Sequence, residues 1–180
     1  MAVRTALAAL AATAAASTAL ALAGCGQSES LNVVEGEPVT LGTLSYNVSI
    51  TRFLNPFDTE DRAYLAGQKP LPSGKQWLAV FMDIHNEGDA PATVPSDLRV
   101  TDTQGNEYRP VPSQSVFALQ PGAQIGPHDD LPEPESAAAN GPIQGAMVLF
   151  QIREASIENR PLVLSIPGPG GETGTVELDI

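Results

Sequence analysis

The sequence predicts an all-β fold, an antiparallel sandwich or small barrel of about seven to eight strands. Apolar and polar residues alternate with period two over Leu44–Thr51 and Trp77–Ile84, as half-buried strands require. Sixteen prolines and sixteen glycines fall in turn-forming clusters. Few strong helix formers lie in periodic runs, which argues against a bundle.

The chain opens with Met1-Ala2-Val3-Arg4, which carries one positive charge, and then runs uncharged from Thr5 to Leu22, the outline of an export signal. A membrane span also takes about 20 apolar residues. Here most of the run is alanine, which gains little in lipid, and no basic stop-transfer cluster follows it. It ends in Leu22-Ala23-Gly24-Cys25, which looks like the lipobox of lipoprotein signal peptides. Small residues at those positions fit the signal peptidase, and a thiol at the first mature position accepts the diacylglyceryl thioether. The expected organisation is a signal peptide over residues 1–24, lipidated Cys25 with a flexible tether over residues 25–38, and one domain over residues 39–180. Two or more acyl chains would hold it lastingly to the extracytoplasmic face of the cell membrane. Cys25 is the only cysteine, so once lipidated it leaves no thiol for a disulfide, a metal or nucleophilic attack.

The strands follow in order. Val39-Thr40-Leu41 precedes Leu44–Thr51, whose Leu44, Tyr46, Val48 and Ile50 are expected to face inward. Residues 54–75 are rich in proline and glycine yet carry Phe57, Tyr64 and Leu65, so a packed loop is expected, with one helical turn near Asp61–Ala66. In Trp77–Ile84, Leu78, Val80, Met82 and Ile84 share one face, and Trp77, Ala79 and Phe81 the other. Residues 97–103 and 107–111 flank the tight turn Gln104-Gly105-Asn106 and read as a hairpin. Val116–Leu119 reads as a short strand, and residues 126–142 as a mobile acidic loop. Strands are expected again at Gly145–Arg153, Leu162–Ile166 and Gly174–Leu178.

One succession of strands and turns within this pattern is recognisable: Trp77-Leu78-Ala79-Val80-Phe81-Met82-Asp83-Ile84, Asn86-Glu87-Gly88-Asp89, Leu98-Arg99-Val100-Thr101-Asp102, Gly105-Asn106-Glu107-Tyr108, Leu119-Gln120-Pro121-Gly122 and Gly145-Ala146-Met147-Val148-Leu149-Phe150. It resembles an uncharacterised family of exported and lipid-anchored bacterial proteins, similar to the mycobacterial immunoprotective extracellular protein. The resemblance spans roughly Val39 to Ile180. It implies an immunoglobulin-like β-sandwich and an extracytoplasmic location, and it brings no catalytic residues.

Charge and motif narrow the function. Loss of Arg4 with the signal takes the net charge from −12 to −13, a surface that repels nucleic acid and anionic headgroups, so no nucleic-acid partner is expected. No Gly-x-Ser-x-Gly elbow occurs, and only His85 and His128 could serve as neutral-pH bases, so neither catalysis nor a cofactor is expected. Met82, His85, His128 and Met147 offer soft copper ligands, but the odd offset of Met82 and His85 on a strand sets them on opposite faces. Asp58, Glu60 and Asp61, and Asp129, Asp130, Glu133 and Glu135, offer oxygen ligands without calcium-loop spacing and read as solvated charges.

The suggestive feature is aromatic. Trp77 and Phe81 lie on the face turned away from the core, where a partner could dock, with Phe57 and Tyr64 nearby in the loop. The other arrangement, which is favoured, has the 54–75 loop fold over them. The expected function is a non-catalytic binding or interaction module whose ligand is an envelope protein or a small molecule. A calcium- or copper-binding envelope protein, and behind it an exported hydrolase, are the alternatives.

Overall fold

The computed structural model describes residues 31–180, so the expected signal peptide, Cys25 and residues 26–30 lie outside the described residues. In chain order these residues form β1 (Asn32–Val34), β2 (Val39–Leu41), β3 (Leu44–Leu54), α1 (Asp61–Tyr64), β4 (Lys75–Asn86), β5 (Ala92–Thr93), β6 (Arg99–Thr101) and β7 (Glu107–Tyr108). Then come β8 (Gln124–Ile125), β9 (Asp130–Leu131), α2 (Ala137–Asn140), β10 (Ala146–Arg153), a 3-10 turn (Glu154–Ile157), β11 (Leu162–Pro167) and β12 (Thr173–Leu178). One large sheet is ordered β1-β12-β11-β6-β7 and a second β10-β4-β3-β2, with β9 also paired to β4, while β5 and β8 form a small two-stranded sheet. The chain is an all-β sandwich, and eight of its described strands have three residues or more.

β4 is the centre of the second sheet. Its Leu78, Val80, Met82 and Ile84 enter the core between the sheets with Tyr46, Phe150, Leu164 and Val176. This is the inward face that period-two alternation predicts, and it accounts for Met82 as packing. β3 departs from its expected pattern. Val48 pairs with Met82 and Ile50 with Phe81, so Ser49 is an extra residue, a bulge, and the side chains after it change face. Ile50 is accordingly 39% exposed, not inward, and Thr51 takes the buried position. Ser49 Oγ donates to the Phe81 carbonyl, which holds the bulge.

Three further expectations change. Residues 32–34, expected to be tether, lie parallel to β12, Asn32 opposite Thr175 and Val34 opposite Glu177. An edge strand held by backbone pairing needs no apolar period, which is why the segment looks structureless in sequence. The Glu35 carboxylate then accepts from Thr51 N and Asp179 N, joining the two sheets. Residues 126–142 carry β9, paired to β4, and α2, capped by Ser136 Oγ accepting from Ala139 N. Val116–Leu119 is not a strand. It belongs to a segment that runs beside β10, with Val111 N donating to Leu149 O, Met147 N to Phe117 O and Leu119 N to Met147 O.

The β6–β7 hairpin is present, pairing Val100 with Tyr108. Asp102, buried, holds its turn by accepting from Gln104 N, Asn106 N and Asn106 Nδ2, and it ties the turn to the 3-10 segment by accepting from Ser156 Oγ at 2.6 Å. Burial pushes this carboxyl up, but the bonds from Ser156, Asn106 and Gln104 outweigh it and hold the pKa at about 2. A depressed carboxylate stabilises the fold fully above its unfolded value of about 3.9, and that contribution is lost as pH falls toward 2. Asp102→Ala should therefore cost about 2–4 kcal/mol in urea titrations at pH 7. The gap from wild type should narrow between pH 4 and about 2, and a gap independent of pH over that range would contradict the account.

Candidate functional site

Trp77, Ala79 and Phe81, on the other face of β4, are covered and not exposed. They pack with Leu54, Tyr64, Leu65, Met147 and Leu149 in a second apolar core. Tyr64 of α1 meets Phe81 edge-on at 5.2 Å and tilts against Phe117 at 4.7 Å. Its hydroxyl accepts from Ile143 N, and burial raises its pKa. Ser115 Oγ donates to Ala63 O, and Gln68 Nε2 to Pro112 O, so the 55–75 loop and the segment beside β10 brace each other. The aromatic contact surface suggested by Trp77, Phe81 and Tyr64 is thus absent. Of the four expected interaction residues only Phe57 is exposed, at 92%.

One ion pair positions the loop. Arg52 projects from β3 and its Nη2 donates to Asp61 Oδ1 at 2.7 Å, while Asp61 Oδ2 accepts from Asn55 N at 2.7 Å. Asp61 is buried, so a residue that reads in sequence as a solvated loop charge is instead the clamp joining β3, the loop entrance and α1.

Where this cover stops, a cleft of about 860 Å³ opens between residues 53–57, Arg62, Leu65 and residues 68–77, with Glu154 at one side. Its walls are mainly apolar, from Leu54, Pro56, Phe57, Leu65, Pro70, Leu71, Pro72 and Trp77. Arg62, Lys69 and Lys75 bring positive charge to it. Trp77, 2% exposed, forms part of its floor. The glycine and proline content that marks residues 54–75 as a loop is the sequence signal for this site; the cations carried no signal of their own, because nothing local links positions 62, 69 and 75.

The other candidate groups are engaged elsewhere. His85 Nδ1 lies 2.8 Å from Asp130 Oδ1, and His128 Nε2 2.9 Å from Asp89 Oδ1. These contacts fasten the 126–131 segment to β4 and the turn after it. Asp83, near Asp130, has its pKa raised by burial and by that neighbouring charge. Met82 and Met147 are core, apart from both histidines' surface contacts. Asp129, Asp130, Glu133 and Glu135 line a separate cavity of about 350 Å³. Among the described residues, no three His, Cys, Asp or Glu side chains converge as metal ligands would. Cys25 lies outside the described residues.

No family model matches the chain, and no curated protein matches its sequence. In structure it is similar to an uncharacterized beta-sandwich protein from Clostridium difficile, with 16% identity and a TM-score of 0.50, over 82% of this chain and 93% of that one. It is similar to the yjhA protein from Bacillus subtilis, with 12% identity and a TM-score of 0.50, over 82% and 99%. A third similar structure is a Bacillus subtilis "putative lipoprotein (ycdA)", with 12% identity and a TM-score of 0.50, over 81% of this chain but 38% of that one. At these identities the likeness carries the sandwich fold. Among the described residues no helix is long and apolar enough to cross a membrane.

Asp61→Ala should loosen the loop more than the fold. We expect a loss of about 2 kcal/mol in chemical denaturation. Tryptic cleavage at Arg62 or Lys75 should quicken at least fivefold in the native protein; unchanged cleavage would show that the Arg52–Asp61 pair does not hold the loop.

Proposed function

We propose that the protein is a non-catalytic binding module of the cell envelope, held on the outer face of the membrane by lipid on Cys25, with its ligand site in the cleft beside the 55–75 loop. The cleft carries this reading: about 860 Å³ of mainly apolar concavity, with Phe57 standing free at its edge. Small-molecule sites commonly measure about 300–1,000 Å³ and combine apolar walls with a few polar groups. The lining holds no histidine and a single carboxylate, Glu154, which suits retention of a ligand better than proton transfer. The anchor is supported by Leu22-Ala23-Gly24-Cys25 and by the fold shared with a "putative lipoprotein". Membership of the exported family that includes the mycobacterial immunoprotective extracellular protein is part of the same proposal, supported by the strand and turn succession from Trp77 to Phe150 and by uncharacterised bacterial sandwiches of like fold.

The anchor and the site are tested separately. Cys25→Ser should abolish incorporation of labelled fatty acid and leave the uncleaved, slower-migrating precursor; normal labelling would refute the anchor. The cleft can be watched through Trp77, the only tryptophan in the chain. A small-molecule extract of the envelope should shift its emission saturably, and Phe57→Ser should weaken that response about fivefold or more. A response equal in both proteins would remove the cleft from consideration.

A further inference from the structure

We infer that the ligand of this cleft is an anionic amphiphile, one apolar chain ending in a carboxylate or phosphate; the inference rests on the cleft being the binding site. Eight basic residues lie among residues 31–180. Arg52, Arg99 and Arg109 are paired with aspartates or glutamates, Arg160 donates to Ile180 O, and Arg153 donates to Tyr108 OH. The three that line the cleft, Arg62, Lys69 and Lys75, have no carboxylate partner among the described residues. The Arg62 guanidinium donates only to Thr59 Oγ1, and both lysines stand exposed.

The chain has 21 acidic residues against 9 basic ones, yet three of the five described cations without an Asp or Glu partner share one cavity, with only Glu154 among them. Lys75 is also directly opposite Arg153 in the β4–β10 register, a like-charge pair that an anion would relieve. The same cavity exposes Phe57 and reaches down to Trp77, so charge and apolar wall are offered together, as a head and a chain require.

The topology bears on where the ligand comes from. Leu31 O accepts from Thr175 N, toward the end of the sandwich where β2 turns into β3 and Gly42 meets Pro169. The cleft lies at the opposite end, beside Leu54 and Trp77, and the ten steps along β3 from Leu44 to Leu54 span roughly 33 Å. The six residues from Cys25 to Leu31 reach at most about 20 Å. A domain tethered there presents the cleft away from its own bilayer, which favours a dispersed amphiphile over the host membrane.

The test uses the lipidated protein in phosphatidylcholine vesicles, titrated with decanoate, decyl phosphate, decanol and decyltrimethylammonium while Trp77 emission is followed. Decanoate or decyl phosphate should saturate the signal. Lys69→Gln/Lys75→Gln, at two exposed positions, should weaken that binding about tenfold or more, and added salt should weaken it in wild type. Comparing the two anions distinguishes a carboxylate head from a phosphate. If decanol or the cation binds as tightly as the anions, or the double variant binds as wild type does, the anionic preference is overturned while the cleft stands as a site. If all four are silent and the envelope extract still responds, the amphiphile is the wrong ligand class. Silence to all five would overturn the site itself.

Discussion

Trp77 to Met82 are six consecutive residues with almost no exposure, in a strand paired along its length on both edges. A two-layer sandwich buries one face of each sheet and leaves the other to solvent. β4 does not accept that arrangement, because its outward residues are a tryptophan, an alanine and a phenylalanine. Leaving them in water would forgo about 25 cal/mol for each square ångström of apolar surface, several kcal/mol in all for the two rings. The second sheet therefore needs a third layer, which the long connections of the chain supply. Residues 55–72 come from one side, residues 111–118 from another, and α2 and Ile143 close the remainder.

A cover made of loops has a problem that a cover made of strands does not, since each backbone group must find its own partner. Asp61 meets part of that need at the entrance of the loop, and the Ser115 and Gln68 bonds meet part of it across the layer. Gly67 marks how tight the fit is: its φ is 78°, and a Cβ there would stand 2.7 Å from the Gln114 side chain. The cover is close-packed over Phe81, Tyr64 and Trp77 alike, and beyond Trp77 Pro70, Leu71 and Pro72 carry the chain back to β4 without a helix or strand. The cleft is the gap this leaves. It lies outside a third layer that is complete over β4, at the end where the cover is extended loop.

Alternation made β4 legible in the sequence, down to which residues form which core, because both faces are apolar enough to show period two with different membership. The hairpin at Asp102 and the three last strands were legible for the same reason, with glycine-marked turns inside the hairpin and between the last two strands. β3 was legible only as far as Val48. A bulge is one extra residue without a sequence signature of its own, and Ser49 gives no warning that Ile50 turns outward and Thr51 inward. β1, β9 and the course of residues 110–119 beside β10 depend on backbone pairing with distant strands, which leaves side-chain composition free and so leaves no trace. The aromatic residues were visible as anomalous on an outer face, but whether solvent or a loop meets them depends on tertiary contacts such as Tyr64 on Phe81 and Tyr64 on Phe117. The cleft's cations belong to the same class: Arg62, Lys69 and Lys75 come together through the path of the loop, not through spacing.

That three cations share one cavity in a chain of formal charge −12 also determines what kind of recognition is available there. At physiological ionic strength the Debye length is about 8 Å, so an approaching anion feels the net negative surface only at close range and gains nothing by long-range steering. Encounter is then unassisted, and selectivity must come from contacts made inside the cleft. Exposed lysines paired with a ligand head contribute modestly in water, and more as the apolar walls exclude it. Chain and head consequently depend on each other. Under the proposal, an apolar chain beside Phe57 would dry the cavity in which the cations act, and the cations would favour a chain that carries an anion.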